Sequence, residues 1–329
     1  MAETGIGDKI AVQVDGRSLT LTNLAKVLYP ADGFTKAEVL DYYQRISPAL
    51  LPHIADRPMT LRRYPHGVAD LSFFAKHAPA RHPDWLRTEM VVSHSSRART
   101  PGTAVSYLVI DDLPALIWAV NLAALELHVP MWRFPSAGTA GGGEPAPAPA
   151  SAGAAAAEPV PEAEAGNDPD LLVFDLDPGA PATIVECCQV AEALRPVLEA
   201  EGLQPLAKTS GGKGLQLYAK VSGLTAEQAS DLALGFAQRI ERELPRLVVS
   251  RMTKSARIGK VLIDWSQNNG SKTTVAPYSL RARDLPTVST PVTWDEVAAC
   301  RVVADLTFTA PDVLARVEAH GDLFAPLLG

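Results

Sequence analysis

The stretch LLVFDLDPG, residues 171–179, decides the fold. A run of apolar residues closed by a Pro-Gly turn reads as a short buried strand. Asp175 and Asp177 stand two apart on it, so both carboxylates leave the same face. Downstream, a helix opens at Thr183 with a Thr-x-x-Glu capping box to Glu186 and ends near Gly202. Two strand-like runs, QPLAKT and GLQLYAKV, then flank the turn SGGK. A second capped helix (Thr225, Gln228) carries the stripe Leu232, Phe236, Ile240 and stops before Pro245. The runs KVLIDW and TTVAPY read as further strands. The order β-α-β-β-α-β predicts a split ferredoxin-like sheet whose first strand lies between the third and the fourth. The fold class is therefore α/β, or α+β in the stricter sense.

Composition bounds the rest. The chain has 329 residues, 47% hydrophobic and 20% charged, with mean hydropathy +0.05. That is enough to bury a substantial core, and it excludes collagen, coiled coil and wholesale disorder. No run of about 18 apolar residues suggests a membrane span. The segment before the first strands lacks an apolar signal-peptide core, so a cytoplasmic, nucleoid-associated location and no membrane partner are expected. Cys187, Cys188 and Cys300 have no zinc-ligand spacing and read as packing. Residues 136–169 form an Ala/Pro/Gly-rich insertion that holds five of the 37 acidic residues and none of the 30 basic. Such a segment cannot bury enough apolar surface to offset its ordering entropy. It separates an N-terminal half (1–135) from a C-terminal half (170–329), and the two are expected to form one catalytic domain.

Charge is unevenly placed. Between Arg246 and Arg283 the chain carries eight basic residues against one acid, Asp264. A local excess of this kind marks a phosphate-binding surface whatever the overall charge of −7. Asp264 sits in the apolar strand KVLIDW, expected beside Asp175 and Asp177. Three carboxylates on adjacent strands make an oxygen-donor site for Mg²⁺ or Mn²⁺. In KTSGGKGLQLY, Ser210, the glycines and Lys213 form a turn able to cradle phosphate oxygens, with Lys272 and Arg281 within reach. A plain glycine hairpin is the alternative, because Walker A spacing is absent.

The N-terminal half offers a second phosphate-binding candidate. Thr35 and Glu38 form a capping box that puts Lys36 in the first turn of a helix, where free N–H groups favour an anion. TNLAKVLYP reads as a short helix starting at Thr22 or Asn23 and presenting Lys26. Phe73 and Phe74 lie near Lys76 and the pair Arg62-Arg63; one Phe is expected in the core and the other stacked on a base. LPALIWAVNLAALELH reads as one apolar helix ending at His128, a histidine of the kind that is usually structural.

Together, FDLDPG, TSGGKGLQLY, MTKSARIGKVLIDWSQNNGSKTTVAPYSLRAR, ELHVPMW and NLAKVLYP…TK resemble the polymerase domain of bacterial DNA ligase D, in the archaeo-eukaryotic primase superfamily. The resemblance covers nearly the whole chain outside the insertion. It implies a template-directed nucleotidyltransferase that uses ribo- or deoxyribonucleoside triphosphates, often favours ribonucleotides and Mn²⁺, and extends primers at breaks and short gaps by two-metal phosphoryl transfer. Carried over by position, Asp175, Asp177 and Asp264 would hold two Mn²⁺ or Mg²⁺ ions. Ser210, Lys213 and Arg281 would contact the triphosphate, with Lys272 and His128 nearby. Asn23, Lys26 and Lys36 would receive a 5′-phosphate; Phe73 and Phe74 would meet the template; Arg257 would lie in the loop used in template binding and end synapsis. The implied partners are gapped or 5′-phosphorylated DNA, a Ku-like end-binding protein and a separate ligase. Gln216 departs from the family, which carries histidine there, so weaker nucleotide binding or slower turnover is expected. A DNA-end bridging module is the alternative. The length leaves no room for ligase or nuclease domains, and a stand-alone polymerase is expected.

Overall fold

The computed structural model describes residues 9–93, 103–135 and 168–328; the insertion from 136 to 167 lies outside them. Hairpin β1 (Lys9–Val14) and β2 (Arg17–Thr22) precedes a short pair, β3 (Val27–Tyr29) and β4 (Phe34–Thr35), that feeds α1 (Lys36–Ile54). Strands β5 (Thr60–Arg63) and β6 (Phe73–Ala75) follow, then hairpin β7 (Thr88–Ser93) and β8 (Thr103–Leu108), α2 (Leu113–Asn121) and β9 (Ala124–Val129). After the insertion come β10 (Leu171–Pro178), α3 (Ile184–Ala200), β11 (Leu206–Thr209), β12 (Leu215–Lys220) and α4 (Ala226–Glu243). The chain continues through β13 (Val248–Val249), β14 (Val261–Asp264), β15 (Thr274–Val275), β16 (Pro291–Val292), α5 (Trp294–Ala299) and α6 (Ala310–His320).

Two sheets organise these elements. One has six strands in the order β13-β14-β10-β12-β11-β16, so β10 lies between β12 and β14 as the ferredoxin-like order requires. Its core comes from the apolar stripes of α3 and α4 against Leu172, Phe174, Leu176, Leu215, Leu217 and Ile263. The other sheet runs β15-β9-β5-β6 and packs on α1 and α2 through Leu61, Leu127, Leu116, Tyr43 and Leu50. Tyr278, Leu280, Val288 and Val313, late in the chain, also enter this second core. The TTVAPY strand pairs with β9, so it belongs to the four-stranded sheet. Arg57, buried near the end of α1, donates to Asp170 at 2.6 Å and fixes the chain where β10 begins. Among the described residues, no helix is long and apolar enough to cross a membrane.

Two segments depart from the sequence reading. LPALIWAVNLAALELH is not one helix: α2 stops at Asn121, Ala123 takes a left-handed φ of 59°, and the rest is β9. The pattern is apolar throughout, so period alone could not separate buried helix from buried strand. Pairing with β5 and β15 decides it. TNLAKVLYP forms no helix either. Asn23 adopts φ 55° in a turn and Val27–Tyr29 is extended. Left-handed backbone suits asparagine and ends the would-be helix before it starts.

Candidate active site

The site is built on one row of side chains across the six-stranded sheet. Lys208 on β11 faces Gln216 on β12, Gln216 faces Asp175 on β10, and Asp175 faces Asp264 on β14. Residues directly opposite in neighbouring strands share a face, so a cation, an amide and two carboxylates lie in line. Asp177, two residues on from Asp175, is at the same face. Hydrogen bonds link the row: Lys208 Nζ donates to Gln216 Oε1 at 2.5 Å, and Gln216 Nε2 donates to Asp175 Oδ1 at 3.1 Å.

The three carboxylates are incompletely neutralised. Burial raises the Asp175 pKa to about 6 despite the hydrogen bond from Gln216, and the like charges of Asp264 and Asp177 add to the rise. Burial also raises Asp177, opposed by Arg257, whose Nη1 lies 3.6 Å from Oδ2. Asp264 accepts from Ser266 N at 3.1 Å, Ser266 Oγ at 2.6 Å and Gln267 Nε2 at 3.1 Å. Each carboxylate is thus turned to its own local partner, and among the described residues no three His, Cys, Asp or Glu side chains already converge as ion ligands. The donor chemistry fits a hard divalent cation nonetheless: all oxygen, anionic, and short of compensating charge.

Facing the carboxylates is a cleft of about 300 Å³ lined by Asp175, Asp177, Ser210, Lys213, Gln216, His128, Arg281 and Arg283. The turn after β11 is tight. Ser210 Oγ accepts from Gly212 N and Gly214 N at 3.2 and 3.1 Å, and Arg281 Nη1 donates to Ser210 O at 2.7 Å. A Cβ on Gly214 would come within 2.3 Å of Leu176 O, so only glycine lets the turn lie this close to β10.

The opposite wall comes from the four-stranded sheet and has its own charge node, Glu126. This residue is buried, and burial alone would raise its carboxyl. The hydrogen bond from His128 and the Arg281 charge outweigh that and bring its pKa down to about 2. Its Oε2 lies 2.9 Å from His128 Nε2 and 3.5 Å from Arg281 Nε; its Oε1 accepts from Tyr64 OH and Ala282 N, both at 3.1 Å. Arg281 Nε is buried and finds no hydrogen-bond partner among the described residues, Glu126 lying 3.5 Å away.

The remaining expected residues lie outside the cleft lining. Lys272 donates to Ser266 Oγ, the hydroxyl that serves Asp264. Arg257 holds Met252 O at 2.8 Å. Asn23, Lys26 and Lys36 are brought together where β3 meets α1: Lys26 N donates to Asn23 O, and Lys36 N to Lys26 O. Lys36 is buried and spends its ammonium on Thr22 O, Thr22 Oγ1 and Asn121 Oδ1 at 2.6, 3.2 and 2.8 Å. Burial and the neighbouring Lys26 lower its pKa to about 8. Lys26 Nζ reaches Pro65 O at 2.5 Å. Phe73 and Phe74 are both exposed, at 47% and 56%, so neither is the expected core residue. β6 is a three-residue strand at the edge of its sheet, and the Phe74 ring meets that of His128 edge-on at 5.5 Å. Arg63 lies over the Phe73 ring and Arg62 over that of Phe74, each at 5.2 Å; Lys76 is exposed just beyond.

Sequence reasoning missed Lys208 and Glu126. Lys208 sits inside the quoted QPLAKT, and its opposition to Gln216 follows from a hairpin register the sequence does not state. Glu126 precedes His128 by two, a same-face spacing only once the segment is a strand.

A sheet of this order, with carboxylates set across a cleft from a glycine turn and an arginine, is the architecture of archaeo-eukaryotic primase-like nucleotidyltransferases. Residues 35–324 match the model of the LigD primase-polymerase domain, and the chain belongs to that family. It is 42% identical over 308 residues to the multifunctional non-homologous end joining protein LigD of Mycolicibacterium smegmatis, covering 93% of this chain and 36% of that protein. The bifunctional LigD of Bacillus subtilis is 28% identical over 305 residues, 92% of this chain and 43% of that one. The polymerase domain of Mycobacterium tuberculosis ligase D, solved in complex with DNA, superposes with a TM-score of 0.79 at 42% identity, covering 94% of this chain and 98% of that one. The chain thus spans little more than a third of the M. smegmatis relative's length. Nucleotidyl transfer requires a divalent ion and a nucleoside triphosphate, and both are implied by the family.

Proposed function

We propose that this chain extends primer strands by template-directed nucleotidyl transfer at DNA breaks and short gaps, in repair of the end-joining kind. The observation that carries the reading is that Asp175 and Asp177 line one cleft with Lys213, Ser210, Arg281 and His128, while Asp264 stands opposite Asp175 on the next strand. Asp175, Asp177 and Asp264 would hold two divalent ions, with Mn²⁺ preferred over Mg²⁺. Bound there, such ions acidify the attacking hydroxyl and neutralise leaving pyrophosphate. Lys213 and Arg281 bind and orient the triphosphate, Ser210 fixes the turn, and Lys272 holds Ser266 against Asp264.

Burial lowers the His128 pKa against the pull of Glu126, whose Oε2 receives its Nε2–H at 2.9 Å. Gln216 lines the cleft with one N–H on Asp175 and only 4% of its surface exposed, so its first service is to the carboxylate. Phe73 and Phe74, with Arg62 and Lys76, offer an exposed stacking step for template bases, and Arg257, beside Asp177, would serve template binding and end synapsis. Lys26, Asn23 and Lys36 would receive a 5′-phosphate; Lys36 acts through its charge, its protons being already donated. Residues 1–135 and 170–329 act as one polymerase domain around the insertion. A ribonucleotide preference, a Ku-like partner, a separate ligase and a cytoplasmic, nucleoid-associated location complete the proposal.

The test is primer extension across a short gap with and without a 5′-phosphate, in Mn²⁺, with ribo- or deoxyribonucleotides, beside Asp177→Ala. Templated addition lost in the variant is the expected result. Normal addition by Asp177→Ala would remove the metal reading. Tight phosphate-dependent DNA binding without any addition would instead support the bridging role.

A further inference from the structure

Lys208 is an unusual residue to find at the back of a carboxylate site. It is fully buried, meets no carboxylate among the described residues, and its three hydrogen-bond partners are all acceptors: Gln216 Oε1 at 2.5 Å, Ser289 Oγ at 2.6 Å and Val275 O at 3.1 Å. Ser289 gives its own hydroxyl proton to Thr209 O at 2.9 Å, so it can only accept from Lys208. Burial pushes the Lys208 amine well below its usual pKa, the Arg281 charge adding to the fall and Asp175 opposing it. Three acceptors without a donor are nonetheless satisfied together only by an ammonium, and the geometry decides for the charged form. A buried charge of this kind is costly unless something of opposite sign lies close, and the carboxylates lie one residue further along the row.

Gln216 is the link. Its amide oxygen takes the Lys208 proton, with Tyr218 OH a second donor at 3.4 Å. Turning the amide over would place NH₂ against an ammonium and a hydroxyl donor, and would set its oxygen against Asp175. Lys208 therefore locks the amide with Nε2 toward Asp175 Oδ1. We propose that Lys208 and Gln216 form one positioning unit that orients Asp175 for its divalent ion, with Gln216 serving the carboxylate and not the triphosphate. In this chain a buried lysine and an amide thus do together what outer hydrogen-bond partners do for metal ligands generally: they fix the ligand's rotamer before the ion arrives.

This inference rests on the reading that Asp175 is a metal ligand, and its test separates the two. Free Mn²⁺ is titrated against metal-free protein by electron paramagnetic resonance for the parent, Lys208→Met, Gln216→Met, the double variant and Asp175→Asn. Nucleotide KM and kcat are measured alongside. Each single variant is expected to weaken Mn²⁺ binding about tenfold, the lower end for lost outer partners. The double is expected to be no worse than either single, because both act through the same hydrogen bond. kcat should fall while nucleotide KM stays. Unchanged Mn²⁺ affinity in the Lys208 and Gln216 variants, with binding lost in Asp175→Asn, would overturn the positioning unit alone. So would losses that multiply in the double, or a raised nucleotide KM with unaltered Mn²⁺ binding. Undiminished Mn²⁺ binding by Asp175→Asn would overturn the metal reading beneath it. If Lys208→Met does not fold, Gln216→Met alone decides, through Mn²⁺ affinity against nucleotide KM.

Discussion

Two carboxylates, Glu126 buried and Asp175 half-buried, sit on the two sheets that wall the same cleft and are shifted in opposite directions. Glu126, on the four-stranded sheet, is drawn down to about 2 by His128 and Arg281 in spite of its burial. Asp175, on the six-stranded sheet, is pushed up to about 6 by burial, with Asp264 and Asp177 adding to it. Burial is common to both, so the sign is set by the company each keeps. Glu126 is a finished anchor that aims two side chains at the cleft. Asp175 lacks a cation of its own, since the ammonium in its row reaches it only through an amide. In the proposed function the first wall would bind the anionic end of the substrate and the second would hold the metal ions, the division of labour that nucleotidyl transfer asks of a cleft.

Removing Glu126 should do the most damage to the fold. Glu126→Leu leaves Arg281, Arg62 and His128 around an apolar side chain and should cost about 3–5 kcal/mol in urea unfolding, as broken buried pairs do. A loss below about 1 kcal/mol would mean that the node is better solvated than its contacts indicate.

The pH dependence sharpens the same point. The Glu126 folded-state pKa is below its unfolded value, so its contribution is complete above about 4.5 and fades as pH falls toward 2. A shift of that size corresponds to roughly 3 kcal/mol at most. Glu126→Gln should be less acid-sensitive than the parent over that window, and equal slopes would contradict the assignment.

Gly214→Ala should come next. Its Cβ would meet Leu176 O, forcing the glycine turn off β10 at a cost of about 1–3 kcal/mol with weakened nucleotide binding. Thermal unfolding and nucleotide KM read both effects together.

The smallest effect is the most telling. Asp175→Asn relieves like-charge repulsion while its side-chain oxygen still accepts from Gln216. Metal-free protein should therefore be stabilised, by about 1 kcal/mol, where the Glu126 variant is destabilised. A destabilised Asp175→Asn would show the two carboxylates to be the same kind of structural anchor.

Much of this arrangement was readable without coordinates. The order of apolar runs and capping boxes gave the ferredoxin-like sheet, and DxD spacing put Asp175 and Asp177 on one face. The opposition of Asp264 to Asp175 follows from that order and is found in register. What could not be read depends on partners far away in sequence. Lys36 is recognisable as a first-turn cation, but its saturation rests on Asn121, 85 residues on. Glu126 stayed hidden because the largely apolar run around it does not distinguish strand from helix. One of Phe73 and Phe74 is expected in the core from sequence, yet the edge strand that carries them leaves both exposed.

The most direct test of the central claim is single-turnover addition of one templated nucleotide to a 5′-phosphorylated gap in Mn²⁺, for the parent and Asp175→Asn, with gapped-DNA binding measured on the same samples. The parent should extend the primer, and Asp175→Asn should lose at least about a thousandfold in rate with DNA binding kept. Equal rates in the two proteins would contradict the account.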